Sequence, residues 1–442
     1  MSREPHRTKA PRERLLVTGV LLPDQPQEHE GPLHEACGLV EAAGAECVGE
    51  PIFQRRQRPD PGTMMGRGKV EEVHHQIQVL CPDAVVVDND LSPGQGRNLE
   101  KAWGLRVIDR SELILDIFAN RAKTKQARLQ VELAQMEYMR PRLRRMWTHL
   151  ERTEGAIGTR GPGETQLETD KRLIAKRIRD LKRELEEIEE RKRRQVRSRA
   201  DQFTIGLVGY TNAGKSTLLN ALTGADVFVA DMPFATLDTR TRQWKLPDGR
   251  VVLLSDTVGF LQRLPHHLVA SFHATLEEAL SVDLMLHVVD ASHPDADVHI
   301  RAVQEVLAGL TERGAELLVF NKLDEVADAI RLHLLVDDPK TEVVHVSARS
   351  GEGLDRLTAS VEHRLDQRSA IVELKMPIAD GRTAAAARAA GVVRSERVEE
   401  DFLLIELKIA EGALGNLQRT AGRETEFRIV EPAAEPYLRI QA

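Results

Sequence analysis

Gly209-Tyr210-Thr211-Asn212-Ala213-Gly214-Lys215-Ser216 has the spacing G-x-x-x-x-G-K-[ST], with Thr217 next in the chain. Glycines at these positions let successive backbone N–H groups turn inward around a phosphate at the start of a helix. In such a loop Lys215 reaches the β- and γ-phosphates and the Ser216 hydroxyl binds magnesium. The context is the required one, a strand-like FTIGLV before the loop and an apolar helical run, Ser216–Leu222, after it. Asp256-Thr257-Val258-Gly259 follows a second strand, VVLLS. An Asp at that strand end suits a water-mediated hold on magnesium, and Gly259 offers a backbone N–H to the γ-phosphate. Asn321-Lys322-Leu323-Asp324 follows a third strand, ELLVF, and Ser347-Ala348-Arg349 follows the last one. A carboxylate such as Asp324 accepts from the N1–H and N2 amino group of guanine, a donor pair that adenine lacks. Asn321 suits N7, the Lys322 stem packs along the base, and the Ala348 N–H suits O6. The set as a whole points from nucleotide hydrolysis in general to GTP and GDP in particular.

Three further residues bear on the chemistry. The γ-phosphate sensor is expected to be a Thr between the first two motifs, and Thr236, Thr239 and Thr241 are the candidates. Pro233-Phe234-Ala235-Thr236-Leu237-Asp238 resembles the switch of Obg-like GTPases, which selects Thr236 as sensor and second magnesium ligand. Phe260 stands where Ras-type enzymes place a Gln to orient the attacking water. Either intrinsic hydrolysis is slow, or water is positioned from elsewhere, for instance by a partner; the competing reading is that Phe260 only packs a switch helix. Asn212 occupies a P-loop position that helps coordinate potassium in several GTPases, so potassium-stimulated hydrolysis is a second cofactor expectation.

These loops need strands and helices to hold them. The chain has 442 residues, enough for about three domains. Hydrophobic residues make up 41% and aromatics 4%, so the cores must be built from Leu, Val, Ile and Ala. No apolar run approaches the ~18 residues of a spanning helix, and the basic start carries no secretory signal, so a cytoplasmic protein without membrane insertion is expected. Cys37, Cys47 and Cys81 have no metal or disulfide spacing and read as buried small hydrophobes. Residues 1–14 read as a flexible tail. Residues 15–120 read as a small α/β domain with strands LLVTGVLL (15–22), AECVGEPIF (45–53), AVVVD (84–88) and LRVID (105–109), and helices near Pro32–Ala43, Lys69–Leu80 and Ser111–Ala119. Residues 121–200 carry two heptad-like stripes, from Leu129 to Leu150 and from Leu167 to Ile188. They predict an antiparallel helical hairpin, kinked at Pro141, with a glycine-rich tip loop over 153–166. Residues 201–366 read as a doubly wound P-loop domain with FTIGLV, VVLLSD, LMLHVVD, ELLVFN and EVVHVS as strands. Residues 367–442 read as a small α+β domain with strands IVELKM, DFLLIELKI and EFRIV and a helix over Thr383–Ala390. The fold class is therefore α/β throughout its main domains.

The net charge of −7 speaks against a nucleic-acid partner only as an average. Residues 121–199 hold 23 Lys/Arg against 13 Asp/Glu, a local net of +10, and the remainder carries −17. Arg140, Arg142, Arg144, Arg145 and Arg191 to Arg194 place that charge on both arms, where backbone phosphates would reward it.

With the string Gly158-Thr159-Arg160-Gly161-Pro162-Gly163-Glu164-Thr165-Gln166-Leu167-Glu168-Thr169-Asp170, and with MMGRGKVEE (64–72) and Gln57–Asp60, the chain resembles the HflX family of GTPases over roughly residues 12–440. The resemblance implies a cytoplasmic GTPase that binds the large ribosomal subunit and splits or rescues stalled ribosomes under stress, with a peripheral membrane fraction as a minor location. It places the hairpin tip, Gly158–Gln166, toward the peptidyl transferase centre. It also implies secondary ATP binding by the N-terminal domain, although no second P-loop precedes residue 200. A monomer is the default expectation. The competing reading is a regulatory GTPase that gates a protein or membrane-associated effector through the hairpin. A metabolic kinase is disfavoured by Asn321–Asp324.

Overall fold

The computed structural model describes residues 12–23, 29, 31–143, 162–197, 202–225, 233–234, 240–257, 259–263, 268, 280, 282–310, 317–326 and 341–433. The chain forms two compact units. One comprises Met1–Glu187, Ala230–Asp238 and Leu261–His273; the other comprises Ile188–Val229, Thr239–Phe260 and Ala274–Ala442. Among the described residues, no helix is long and apolar enough to cross a membrane.

The first unit is built on a parallel sheet. Its central strand β1 (Arg14–Leu21) is buried along nearly its whole length, as a strand covered on both faces must be. β4 (Ala84–Val87) pairs with one edge of β1, and β5 (Arg106–Asp109) pairs with β4. The other edge of β1 takes two short strands, β2 (Glu46–Cys47) and β3 (Ile52–Arg55). The sequence suggested one strand over 45–53. Pro51 in its middle has no N–H to donate to a ladder, which is why the pairing stops and resumes. Helices α1 (His34–Ala42), α2 (Arg67–Leu80) and α4 (Arg110–Arg121) lie close to the expected spans. α3 (Pro93–Trp103) was not expected, because its sequence is polar and carries few apolar positions. It is fixed instead by a capping box between Ser92 and Gln95, with proline in the first turn. Of the cysteines, Cys37 and Cys47 are half-buried, but Cys81 is exposed, contrary to the buried reading. It closes α2 in a left-handed conformation (φ 48°) at the surface.

α5 (Lys125–Met139), capped by the Thr124 hydroxyl, runs into a 3-10 turn over Arg140–Arg142 that contains Pro141, so the helix breaks where proline removes its hydrogen bond. α6 spans Pro162–Arg197. It therefore starts inside the stretch read as the tip loop. Proline's fixed φ and missing N–H suit a first helical turn, which moves the boundary back from 166 to 162. Arg177 donates to both carboxylate oxygens of Glu132 at 2.7 and 2.8 Å, and Lys182 pairs with Glu137 at 2.9 Å. The partners rise together along both helices, whereas directly opposed antiparallel arms would pair in reverse order. The expected reversal, Trp147, Leu150, most of the tip loop (153–161 of 153–166) and the first four residues of the glycine-rich string fall in 144–161, outside the described residues.

The second unit holds a six-stranded sheet in the order β11-β10-β9-β6-β8-β7. The strands are β6 (Thr204–Gly209), β7 (Arg240–Lys245), β8 (Val251–Asp256), β9 (Leu284–Asp290), β10 (Leu317–Asn321) and β11 (Glu342–His345). All neighbours are parallel except β7, which runs antiparallel to β8. β7 was not foreseen. It is a charged edge strand whose one buried side chain, Trp244, leaves no alternating signal. Helices α7 (Lys215–Thr223), α8 (Ala296–Leu310) and α9 (Leu354–Gln367) complete the doubly wound pattern. Because successive connections leave β6 on opposite sides, the carboxyl ends of β6, β8, β9 and β10 border the crevice where such sheets bind ligands.

Residues from Ser369 onward form an antiparallel sheet, β13-β14-β12-β15. It is built from β12 (Ser369–Pro377), α10 (Gly381–Ala390), β13 (Val392–Glu399), β14 (Phe402–Ala410), α11 (Glu411–Thr420) and β15 (Glu426–Glu431). That order is the split β-α-β arrangement of ferredoxin-like folds. Val372, Leu374, Ile405 and Leu407 meet Ala384, Ala387, Leu414 and Leu417 in one core. β13 and α11 were missed in the sequence because both are polar and β13 is exposed along nearly all its length.

Candidate functional site

The nucleotide-site motifs converge at the carboxyl end of the six-stranded sheet. The P-loop leaves β6 at Gly209 and enters α7 at Lys215. Gly214 caps the helix with φ +86°, and a Cβ there would lie 2.2 Å from Asn321 Nδ2. Only glycine lets the base-reading motif come so close to the phosphate loop. Asn321 is 2% exposed, and its Nδ2 donates to Ala213 O at 2.9 Å. Its Oδ1 accepts from Ala348 N at 2.9 Å. This differs from the expectation that the Ala348 N–H faces the base: here that N–H joins the Ser347–Ala348 turn to Asn321. The Asn321 carboxamide keeps a second N–H. Ser347 donates to Asp324 Oδ1 at 2.6 Å, leaving Oδ2 for a ligand, and Lys322 (φ 61°) pairs with Asp290 at 2.7 Å. Arg349 pairs with Glu325 at 3.6 Å on the surface.

On the phosphate side, Lys215 is buried and donates to Gly209 O at 3.0 Å and Tyr210 O at 2.7 Å. Burial lowers its pKa to about 8, while Asp256 pulls the other way. The Ser216 hydroxyl donates to Asp256 Oδ2 at 2.5 Å. Thr257 donates to Leu207 O at 2.8 Å. Gly259 lies against the P-loop: a Cβ there would meet Thr211 Cα at 2.9 Å and Lys215 Nζ at 3.1 Å. Phe260 is held by its backbone, donating to Gly209 O at 3.0 Å and accepting from Thr211 N at 2.7 Å. Its ring is 2% exposed. Asn212, exposed, takes the left-handed conformation (φ 63°) that asparagine tolerates. Of the sensor candidates, Thr241 sits in β7 with its hydroxyl on Ser255 Oγ at 2.9 Å. Thr236 and Thr239, like Val258, lie outside the described residues.

The arrangement can therefore hold a nucleotide, with a cation and an amide-lined turn at the phosphates and a carboxylate at the base. Residues 30–119 match the family described as GTP-binding GTPase N-terminal, 121–199 the GTP-binding GTPase Middle Region, and 204–322 the 50S ribosome-binding GTPase family. The chain is 43% identical to the GTPase HflX of Magnetococcus marinus over 406 residues, covering 90% of this chain and 93% of that one. It is 43% identical to the GTPase HflX of Escherichia coli over 372 residues, covering 84% and 87%. The chain belongs to the HflX family of GTPases. Among solved structures, a GTP-binding protein of the archaeon Sulfolobus solfataricus in complex with GDP is 23% identical, with a TM-score of 0.42 over 79% of this chain and 98% of that one.

In this HflX-family chain the sequence reading missed three supports of the site. Tyr210 stacks on His299 with centroids 3.8 Å apart and planes within 9°, and His293 follows at 4.4 Å. Nothing local marks His299, since its partner lies in another element. Asp290, which holds Lys322, was visible as the acid ending LMLHVVD. His287, buried beside Lys215, has its pKa lowered to about 3, by burial first and by that ammonium second.

Proposed function

We propose that this GTPase works as a magnesium-dependent switch on the large ribosomal subunit, in the cytoplasm and as a monomer. The observation that carries the reading is a pairing within one chain: residues 204–322 match the 50S ribosome-binding GTPase family, and the adjoining 121–199 carry a net charge of +10. Lysines and arginines in such number favour a phosphate backbone. The chain divides for this purpose into an N-terminal α/β domain (15–120), the charged helical region (121–200), the GTPase domain (201–366) and the C-terminal α+β domain (367–442).

Lys215 and the amides of Gly209–Thr217 hold the β- and γ-phosphates, and Asn321, Lys322, Asp324 and the Ser347–Arg349 turn hold guanine. The Ser216 hydroxyl and the Asp256 carboxylate, 2.5 Å apart, fit a cation that keeps several waters and takes few protein oxygens. Among the described residues no cluster of three or more acidic, His or Cys ligands competes for that role. When bound, magnesium would neutralise the charge that develops on the phosphates. Thr236 completes the ligand set in this reading, and the Gly259 N–H meets the γ-phosphate. The Phe260 ring has no group to orient a water, so unassisted hydrolysis is slow and the partner stimulates it. Asn212 supports potassium as an auxiliary ion; equal rates in sodium and potassium would remove that role.

The decisive measurement is cosedimentation with purified large subunits and with stalled ribosomes. The expected result is stable binding with a non-hydrolysable GTP analogue, release with GDP, weakening with salt, and dissociation of stalled ribosomes. If the protein stays free with every nucleotide, the ribosomal reading is lost and a protein effector of the charged region takes its place.

A further inference from the structure

Residues 261–263 follow directly on Phe260, and within the first unit they enter a buried ion network at the carboxyl ends of β4 and β5. Arg263, itself in the left-handed region (φ 50°), donates through Nη2 to Asp88 Oδ2 at 2.5 Å and through Nη1 to Asp88 O at 3.1 Å. Arg110 is 1% exposed. Its Nη1 meets Asp88 Oδ1 at 2.5 Å, and its Nη2 donates to Gln262 O at 2.8 Å and to Glu35. The preceding residue, Asp109, faces the other way. Its Oδ1 caps α4 by accepting from Glu112 N at 2.9 Å, and its Oδ2 accepts from Arg142 at 2.8 Å. Arg142 sits at the foot of the charged helical region, in the turn after α5. It also donates to Leu91 O at 2.7 Å and lies 3.6 Å from the centroid of the Tyr138 ring.

Arg110, Arg142 and Arg263 here face Glu35, Asp88 and Asp109, so the buried charges balance. Burial pushes Asp88 up, but the two guanidiniums beside it hold its pKa below the usual carboxylate range. We propose that Asp88 and the Asp109–Arg110 step form a positioning relay: Arg110 senses where residues 262–263 lie, and Asp109 passes that position to Arg142 and the helical region beyond it.

The physical reason is charge accounting. If 262–263 withdraw, the network loses one cation and one carbonyl acceptor. A carboxylate is then left short of a partner where desolvation is costly. Arg110 must turn fully toward Asp88 and Glu35. Asp109 and Arg110 are consecutive at the first turn of α4, so a backbone shift at one is transmitted to the other. The Asp109 carboxylate carries Arg142 with it. Linkage makes the effect reciprocal: a load on the helical region must change nucleotide affinity by the same factor. The relay rests on the switch reading above only in taking the segment after Gly259 to move with nucleotide.

The test is hydrogen exchange on the full chain, without ribosomes, comparing GDP with a non-hydrolysable GTP analogue. The peptide covering 138–143 is expected to differ at least about fivefold in exchange rate between the two. In Arg263→Gln that difference disappears while nucleotide affinity stays within about twofold, and Arg263→Lys restores part of it. A merely structural arginine would not give nucleotide-specific loss with rescue by lysine. Arg142→Gln, remote from 261–263, should raise exchange at 138–143 equally in both states. The relay is overturned if the wild type shows no nucleotide-dependent difference there, or if Arg263→Gln keeps it in full. Failure of the ribosomal reading is distinguishable, because it leaves the exchange difference intact while cosedimentation is absent.

Discussion

Two clusters at the carboxyl ends of parallel strands are built on opposite plans. The proposed nucleotide site of the second unit is made of backbone amides, close-set glycines and few charges, chiefly Lys215 and Asp256, with Asp324 at its rim. The network of the first unit is made of charged side chains that satisfy one another, Asp88 with two arginines and Asp109 with a third. A site that leaves donors facing a crevice is prepared for an outside anion. A site that has already neutralised itself has nothing to offer a ligand, and its energy depends on every member staying in place.

That contrast can be broken by substitution. Asp88→Ala takes from Arg110 and Arg263 the carboxylate they share, and by removing one partner from a buried network it should cost about 3–5 kcal/mol of stability in the first unit. Denaturant unfolding monitored at Trp103 checks this; a loss below about 1 kcal/mol would mean that the network is hydrated and ordinary. Lys215→Ala in the other cluster should leave stability nearly unchanged and cut phosphate release by about 100–1000-fold. The reverse pattern, stability lost and turnover kept, would erase the distinction. Phe260→Gln is next in size. The ring is buried and its backbone clips the P-loop, so an amide there is desolvated rather than aimed at a water. The variant should lose about 1–3 kcal/mol of stability with no gain in partner-free turnover. A large gain would show that an amide at this position can orient the attacking water despite its burial.

The smallest effect is one of pH. Burial lowers the Lys215 pKa to about 8 in the free site, and a bound phosphate favours the ammonium. Nucleotide affinity should therefore be flat below pH 8 and fall about tenfold per unit above it, up to about pH 9. Isothermal titration across that range measures the slope; a flat profile would show that the ammonium is not lost in the free site.

The same contrast explains what could be read in advance. Gly209–Ser216, Asp256–Gly259, Asn321–Asp324 and Ser347–Ala348 are each contiguous, and strand-then-loop context marks them. The central strands were legible for the same reason, since burial on both faces makes them apolar throughout. β7 and β13 were not, because an exposed edge strand carries no period-two apolar signal. α3 escaped because its capping box, rather than its apolar content, defines it. The ion network was illegible in principle. Arg110 meets partners 22, 75 and 152 positions away, and Arg263 meets Asp88 at 175. No local spacing encodes such pairs.

The ring stack beside the P-loop has a thermodynamic consequence. Tyr210 opens the variable stretch of the loop, and His299 holds its ring face to face. Burial, aided by His293, lowers the His299 pKa to about 4, so the clamp stays uncharged across the physiological range. Backbone freedom that a glycine-rich loop would otherwise surrender on capturing a phosphate is in part given up earlier, during folding. Much of the entropic toll of binding then falls on synthesis of the protein, once, and not on each turnover.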